Sequence, residues 1–311
     1  PSPAFSKFFY TEIKKGIKGQ DDTELIQNAV ISVSSKCPLN CSHCFEWDRL
    51  QEEEKLSHHE VLEISRKLQE GGATIIQVGG GEPLMRLAAC ITLARESGAE
   101  TDFWLITSAF GLDRFKTEFL KISGYTGINI SLDHWDPLEH NAFRGNDLSF
   151  RWVIDGAENT IRAGLLLCFS LCAKRDFITE KNLNIYLELV KELGGHFIQI
   201  LEPRATGRWK DEDIRLDNDQ VRLISEFRDK VNSEKRYAHY PVIIFHGGFQ
   251  RSHGCLGAGN RYLFVDSAGD VHACPFCQQP HGNLVNQELG EILPSLRQSG
   301  CQKFKEYERK Y

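Results

Sequence analysis

The sequence predicts an α/β fold in which a parallel β-sheet, curved into part of a barrel, is followed by a smaller C-terminal unit. From residue 29 onward, short runs rich in β-branched residues alternate with helical patterns, which is typical of βα units. Polar and glycine-rich motifs follow several predicted strands, where a barrel-type site collects its residues. Beyond about residue 250, clustered cysteines flank a predicted β-hairpin.

Six βα repeats are predicted in order along the chain. The predicted strands lie at about 29–35, 73–78, 102–106, 127–131, 165–172 and 197–202. The predicted helices lie at about 58–70, 84–97, 113–122, 149–163, 180–193 and 217–232. The first helix begins at the capping box Ser57-His-His-Glu60. The repeats predict a partial (β/α)6 barrel over 29–235, with an N-terminal arm over 1–28 and a C-terminal unit over 236–311.

The composition is that of a globular protein with a substantial core. The chain has 311 residues, of which 41% are hydrophobic and 26% are charged. A net charge of −6 gives no long-range attraction to nucleic acid or to an anionic membrane, so neither is a predicted partner. No apolar run reaches the length of a membrane span. Ten clustered cysteines in so long a chain favour metal or redox chemistry over disulfides, which predicts a reducing, cytoplasmic location.

Three cysteines follow the first predicted strand with CxxxCxxC spacing. Cys37, Cys41 and Cys44 lie on so short a loop that their thiolates can converge on one metal centre. A cubane of four irons held by three cysteines has one iron without a protein ligand, and that iron can bind an exogenous molecule. The alternative is a zinc site, for which His43 or His58 could offer the fourth ligand.

This motif, with Phe45 and Glu46 after the last cysteine, resembles that of the radical S-adenosylmethionine (SAM) enzymes. The resemblance implies a partial TIM-type barrel in which the three cysteines hold a [4Fe–4S] cluster whose open iron chelates SAM. It also implies a reductant such as flavodoxin or ferredoxin, cleavage of SAM to a 5′-deoxyadenosyl radical, and abstraction of hydrogen from a substrate. No catalytic residue beyond the cluster ligands is predicted.

Further motifs resemble the SAM-binding segments of that family. Glycines let a backbone approach a ligand closely, and the run from Gly79 to Pro83 resembles the family's GGEP motif, which binds the amino group of SAM. The stretch from Ser131 to Asp133, with Arg144 beyond it, resembles an SLD…RG pattern and implies contacts to the carboxylate and ribose of SAM. The full set of implied SAM contacts is Phe45, Gly80, Gly81, Glu82, Thr107, Ser131, Asp133, Arg144, Ile200 and Leu201. Taken singly, such residues are also ordinary turn, cap, surface or core residues.

A second cysteine set flanks the predicted hairpin. Its four thiols could complete the coordination of an iron–sulfur cluster or of zinc. The pattern of a cysteine, thirteen residues, a glycine, four residues and a cysteine resembles the start of a SPASM/twitch extension, although the further cysteine run of a full SPASM domain is missing. The resemblance therefore implies the shorter, twitch-like form with one auxiliary [4Fe–4S] cluster. Its implied ligands are Cys255, Cys274, Cys277 and Cys301.

The function implied by the resemblance is hydrogen abstraction that leads to oxidation or crosslinking, with help from the auxiliary cluster. Relatives with such extensions modify ribosomally made peptides, mature sulfatases or dehydrogenate small natural products. The expected substrate is therefore a ribosomally made peptide or a small natural-product precursor. The alternative is a non-enzymatic zinc or iron–sulfur electron-transfer protein.

Overall fold

The computed structural model describes residues 26–97 and 100–300, and a nine-stranded sheet organises this part of the chain. Its strands are β1 (Asn28–Ser32), β2 (Ile75–Gly79), β3 (Asp102–Thr107), β4 (Tyr125–Ser131), β5 (Leu166–Cys172), β6 (Phe197–Leu201), β7 (Val242–Phe245), β8 (Tyr262–Val265) and β9 (Val271–His272). Strands β1 to β7 are parallel and follow one another in chain order. Strand β8 pairs in parallel with β1 on its other side, and β9 returns antiparallel to β8.

Nine helices lie within the described residues. They are α1 (His58–Glu70), α2 (Leu87–Arg95), α3 (Arg114–Ile122), α4 (Pro137–Arg144), α5 (Ser149–Arg162), α6 (Glu180–Glu192), α7 (Asn218–Ser233), α8 (His246–His253) and α9 (Leu289–Ser299). The predicted capping box of α1 is confirmed, because Ser57 Oγ accepts from Glu60 N and Ser57 N donates to the Glu60 carboxylate. Among these residues, none of the helices combines the length and apolar character needed to cross a bilayer.

The core lies between the sheet and the helices that connect its strands. One face of every strand from β1 to β6 is apolar and fully buried, with Ile31, Val78, Leu105, Ile130 and Phe169 among its side chains. Because successive side chains alternate between the two faces of a strand, these residues share one face of the sheet. That face packs against the amphipathic helices, as expected for parallel βα units.

The opposite face of the sheet is concave. Trp104 on β3 contacts Phe197 on β6, with ring centroids 6.2 Å apart, and Asn129 on β4 bonds to Gln199 on β6. Neighbouring strands lie about 4.8 Å apart, so side chains from strands two or three positions apart meet only where the sheet curves toward them. The predicted α/β class and partial parallel barrel are therefore confirmed.

Several elements of the structure were not predicted. Strand β7 adds a seventh parallel strand, and helices α4, α8 and α9 lie in segments without an assigned element. Helix α4 has a signal in the sequence, because Asp136 caps its first turn and Pro137 occupies its first position. The predicted hairpin is present, with Asp266 N bonded to Asp270 O across the turn. The sheet continues past the predicted boundary at residue 235, since β7 pairs with β6 and β8 with β1.

Candidate cofactor site

The cysteine loop, residues 37–44, leaves β1 at the edge of the sheet where the parallel strands end. Backbone hydrogen bonds tie it to the end of α4 and to the segment after β6. These bonds run from Asn40 N to Arg144 O (3.2 Å), from Ser42 N to Phe143 O (3.1 Å) and from Arg208 N to Cys44 O (3.0 Å). The loop is therefore fixed by the protein itself, so that its thiols are presented in one arrangement.

Glycines pack directly against this loop from three directions. A β-carbon on Gly81 would lie 2.5 Å from Lys36 O, and one on Gly145 would lie 2.5 Å from Asn40 O. A β-carbon on Gly207 would overlap Cys44 O. The glycine run after β2 thus serves close packing of two backbones, because Gly81 N and Glu82 N both donate to carbonyls of the segment that enters the cysteine loop.

Replacing Gly207 by alanine is expected to lower the free energy of unfolding by about 1–3 kcal/mol, since the new β-carbon meets the cysteine-loop backbone. Gly207 also has a φ of +55°, which alanine adopts with strain. Gly164→Ala is the matched control, because Gly164 has a φ of +68° but open space around its β-carbon. Urea unfolding of the metal-free variants measures both losses. If the two variants lost the same free energy of unfolding, backbone strain and not contact with the cysteine loop would explain the effect of Gly207→Ala.

The three thiols of the loop lie in a largely desolvated environment. Cys41 is buried, and Cys37 and Cys44 are partly buried. Burial raises the pKa of Cys37 and of Cys44 to about 12, and it raises the pKa of Cys41 although Arg144 opposes the shift. Thiolates here therefore require a strong cationic partner, and bound iron supplies one. Thiols are also the donors that iron–sulfur clusters use, so the residues present fit a cluster.

Asp133 and Arg144 form a buried ion pair beside Cys41. Asp133 Oδ2 accepts from Arg144 Nε (2.6 Å) and Nη2 (2.5 Å), while its Oδ1 accepts from Cys172 N (2.9 Å). Burial favours the neutral carboxyl, but the Arg144 charge outweighs it and lowers the pKa of Asp133. Arg144 Nη1 lies 3.9 Å from Cys41 Sγ. The sequence predicted separate SAM contacts for this aspartate and arginine, and the structure brings the two together as partners of each other.

Glu82 joins the ends of β2 and β3. Its side chain is fully buried, and it accepts from Thr107 Oγ1 (2.6 Å), Ser108 N (2.9 Å) and Ser108 Oγ (2.5 Å). Burial raises the pKa of Glu82, although these donors oppose the shift. Leu84 N (3.1 Å) is a fourth donor to the carboxylate. Ser108 was not among the predicted site residues, yet it supplies two of the four donors. Its position directly after Thr107 at the end of a strand was the available signal.

The other predicted SAM contacts lie on different faces of the sheet. Ser131 ends β4 on the concave face, opposite Ser170 of β5. Leu201 ends β6 on that same face, whereas Ile200 is 1% exposed and belongs to the core under the helices. Phe45 packs edge-on against other aromatic rings near the hairpin. None of these positions tests a SAM contact, so each stays a prediction.

Two further residues hold the cysteine loop. Arg208 Nη1 donates to Asn40 Oδ1 (2.6 Å) and to Cys41 O (3.2 Å), and its guanidinium lies over the ring of Trp47. His43 stacks on Phe143 with ring centroids 4.3 Å apart. Burial lowers the pKa of His43 to about 3, so it stays neutral as a packing residue. No motif predicts either contact, because each depends on segments distant in sequence.

The second cysteine set gathers around Tyr262. The sulfurs of Cys274 and Cys277 lie 3.6 Å apart, and Gly257 N lies 3.3 Å from Cys255 Sγ. Burial raises the pKa of Tyr262, and the three thiols add to this shift because they lie close to its phenol. The structure thus brings Cys274 and Cys277 together, and the bond from Ala258 N to Ala273 O (2.8 Å) holds the segment of Cys255 beside them. Cys301 lies outside the described residues.

The two cysteine sites contact each other through aromatic and polar side chains. Phe45 follows the last cysteine of the loop and lies 6.0 Å from Phe276, which stands between the two cysteines of the CPFC turn. Gln278 Nε2 donates to Thr206 Oγ1 (3.1 Å) on the segment that also holds the cysteine loop. The C-terminal cysteines are therefore docked directly on the first site.

Within residues 26–97 and 100–300, no three His, Cys, Asp or Glu side chains are close enough together to hold a single metal ion.

Sequence comparison finds similarity to radical SAM enzymes. Residues 31–173 match the profile of the radical SAM superfamily. The chain is 26% identical to a PqqA peptide cyclase of Streptomyces rochei over 86% of this chain and 75% of that protein. It is 28% identical to a GTP 3′,8-cyclase of Nautilia profundicola over 67% of each protein.

Structural comparison finds the same architecture in SuiB of Streptococcus suis. The structure of SuiB bound to the precursor peptide SuiA superimposes with a TM-score of 0.69 at 16% identity, covering 87% of this chain and 65% of that one. The structure of SuiB bound to SAM gives a TM-score of 0.70 at 17% identity, covering 88% and 68%. The chain thus spans about two thirds of SuiB, and the likeness at this identity establishes the fold.

Proposed function

We propose that the chain is a radical SAM enzyme that cleaves SAM reductively and abstracts a hydrogen atom from a substrate, since residues 31–173 match the profile of that superfamily. The observation that carries the proposal is the cysteine loop, whose three thiols are fixed at the strand-end edge of a partial barrel. When bound there, a reduced [4Fe–4S] cluster supplies the electron that splits SAM into methionine and a 5′-deoxyadenosyl radical. A flavodoxin or ferredoxin is the proposed source of that electron.

The chain's own residues hold and enclose the reactants. Cys37, Cys41 and Cys44 would bind the cluster. The position of several predicted SAM contacts supports their role. They lie at the ends of β2 to β4 or just beyond these ends, on the side of the cysteine loop. These residues are Glu82, Thr107, Ser131, Asp133 and Arg144. His43 of the loop stacks on Phe143, and Trp209 packs at a tilt against both rings. These apolar contacts would help to keep water out of the site.

An auxiliary cluster is proposed at Cys255, Cys274, Cys277 and Cys301. It is supported by the 3.6 Å separation of the Cys274 and Cys277 sulfurs and by the backbone bond that holds the segment of Cys255 beside them. The direct contact between Phe45 and Phe276 supports it further. This contact supports a position of the proposed auxiliary ligands beside the first site, where the cluster would accept the electron of a substrate radical. We propose that the outcome is oxidation or crosslinking of a peptide or of a small natural-product precursor.

Anaerobic reconstitution followed by metal analysis and product analysis tests the proposal. We expect about eight irons with matching sulfide per chain and the formation of 5′-deoxyadenosine from SAM after reduction with dithionite. Zinc in place of iron, with no 5′-deoxyadenosine, would instead support the non-enzymatic zinc protein. Iron without SAM cleavage would support an electron-transfer protein.

The proposed auxiliary cluster predicts a specific loss of iron when one of its cysteines is replaced. Cys274→Ala is expected to lower the iron content from about eight to about four per chain, while the SAM-binding cluster and its 5′-deoxyadenosine remain. The matched control is Cys168→Ala, which removes a buried thiol on β5, outside both cysteine sites. Unchanged iron in Cys274→Ala, measured beside a folded control, would contradict the ligand assignment.

A further inference from the structure

A line of neutral polar side chains crosses the concave face of the barrel below the cofactor site. Asn129 Nδ2 on β4 donates to Gln199 Oε1 on β6 (2.8 Å), and Gln199 Nε2 lies 2.7 Å from His246 Nε2 at the start of α8. None of these three residues was predicted as a site residue. Each belongs to a different element, so only the curvature of the sheet brings them together.

The hydrogen bonds of this line all point from donor to acceptor in a defined order, and the acceptor at its Asn129 end has no partner among the described residues. An amide nitrogen only donates, so Gln199 Nε2 donates to His246 Nε2, and the Gln199 oxygen is used by Asn129. Asn129 Oδ1 then ends the line, is buried, and has no hydrogen-bond partner within the described residues. Asn129 itself is 5% exposed. A buried acceptor without a partner destabilises the protein, so a hydrogen-bond donor of a ligand is favoured at this position.

The surroundings of Asn129 select the kind of donor. Below it, Trp104 and Phe197 contact each other and form an apolar floor. On the same sheet face, Asn129 stands opposite Cys168, and the next position along the strands pairs Ser131 with Ser170. The described side chains on the concave face of β4 to β6 are thus uncharged.

The carboxylates just beyond the ends of β4 and β6 belong to existing pairs. Asp133 is bound to Arg144, and Glu202 is bound to Arg251 through both carboxylate oxygens. A polyphosphate would need arginine or lysine side chains here, and a desolvated ammonium would need a carboxylate. An amide N–H needs neither, because a neutral amide acceptor satisfies it.

We propose that Asn129 Oδ1 is a substrate anchor that accepts a hydrogen bond from an amide N–H of a peptide, with Gln199 and His246 as positioning residues. This inference rests on the proposed function, because it places a peptide segment in the barrel beneath SAM. It narrows the substrate class from a peptide or small molecule to a chain that carries amide groups.

The test measures binding of three probes to the anaerobically reconstituted protein by ligand-observed NMR. The probes are N-acetylglycinamide, methylammonium chloride and inorganic triphosphate. We expect the wild type to prefer N-acetylglycinamide and Asn129→Leu to weaken its binding by about threefold to tenfold. The matched control is Asn28→Leu, because Asn28 lies on the same sheet face but its Oδ1 already accepts from Gln77 Nε2. It should leave binding unchanged.

A second variant and a second measurement separate binding from folding. Asn129→Asp keeps the size and places a carboxylate oxygen at the acceptor position, but it removes the donor to Gln199 Oε1. The expected result for this variant is therefore a gain of affinity for methylammonium relative to the wild type. If Asn129 were only structural, Asn129→Leu would lower the melting temperature more than Asn28→Leu does. We expect Asn129→Leu to lower the melting temperature no more than Asn28→Leu does, because Asn129→Leu also removes an unpaired buried acceptor.

Each outcome bears on one hypothesis. Three results would overturn the anchor while 5′-deoxyadenosine formation continues. They are equal binding of N-acetylglycinamide by Asn129→Leu and Asn28→Leu, no gain of methylammonium binding in Asn129→Asp, and a preference of the wild type for triphosphate. Absence of 5′-deoxyadenosine from the reconstituted wild type would overturn the proposed function, and with it the role of the anchor in catalysis.

Discussion

Replacing Cys41 by alanine is expected to reduce 5′-deoxyadenosine formation to the level of the metal-free protein. Cys41 is 8% exposed, and backbone bonds to α4 fix the loop around it, so alanine at this position removes one of the three thiols from a fixed arrangement. Two cysteines alone would leave a second iron of the cubane without a protein ligand. The measurements are iron content, the cluster absorbance and the yield of 5′-deoxyadenosine under dithionite.

The control for this variant is another buried thiol. Cys90 on α2 is fully buried, and its sulfur faces the carbonyl of Pro83 and not the loop. Cys90→Ala should lower stability by the amount of a small cavity while keeping iron and product. If Cys41→Ala kept full SAM cleavage, or if both variants lost it equally, the ligand assignment of the cysteine loop would be wrong.

Replacing Asp133 by asparagine is expected to lower the free energy of unfolding by about 3–5 kcal/mol, because Arg144 is then left buried without a counter-charge. Urea unfolding of the metal-free protein measures this loss. The exposed pair of Arg151 with Asp155 provides the control, since Asp155→Asn should change stability by less than about 1 kcal/mol. The double variant Asp133→Asn/Arg144→Met should recover part of the loss, because no unpaired charge remains.

The same pair gives a pH dependence with a defined sign. The pKa of Asp133 is lower in the folded state than its ordinary value of 3.8, so the folded protein binds its proton less readily than the unfolded chain does. The stabilisation by Asp133 is therefore complete above pH 3.8 and declines as the pH falls through the folded pKa. The stability difference between wild type and Asp133→Asn should shrink in that acidic range and stay constant at neutral pH. A difference that grew on acidification would contradict the assigned pair.

Local sequence patterns predicted many of the helices and strands of the fold. The capping box at Ser57 and Glu60 set the start of α1, and the β-branched runs indicated β1 to β6, because these signals depend on residues close together in sequence. Strand β7 was missed, since Val242–Phe245 is a short apolar run that periodicity alone does not separate from a loop. Its pairing with β6 is a property of the assembled sheet.

The sequence by itself determined the chemistry of this protein: three thiols at a fixed spacing after a strand, a glycine run after the next strand, and a second set of cysteines near a hairpin. Covalent spacing is sufficient for those conclusions, because the residues involved are neighbours along the chain. The tertiary structure decided which distant groups meet. It paired Asp133 with Arg144, placed Gly207 against the cysteine loop, and joined Asn129 to Gln199 across β5. Contacts of this kind depend on the curvature and stacking of whole elements, which no local pattern encodes.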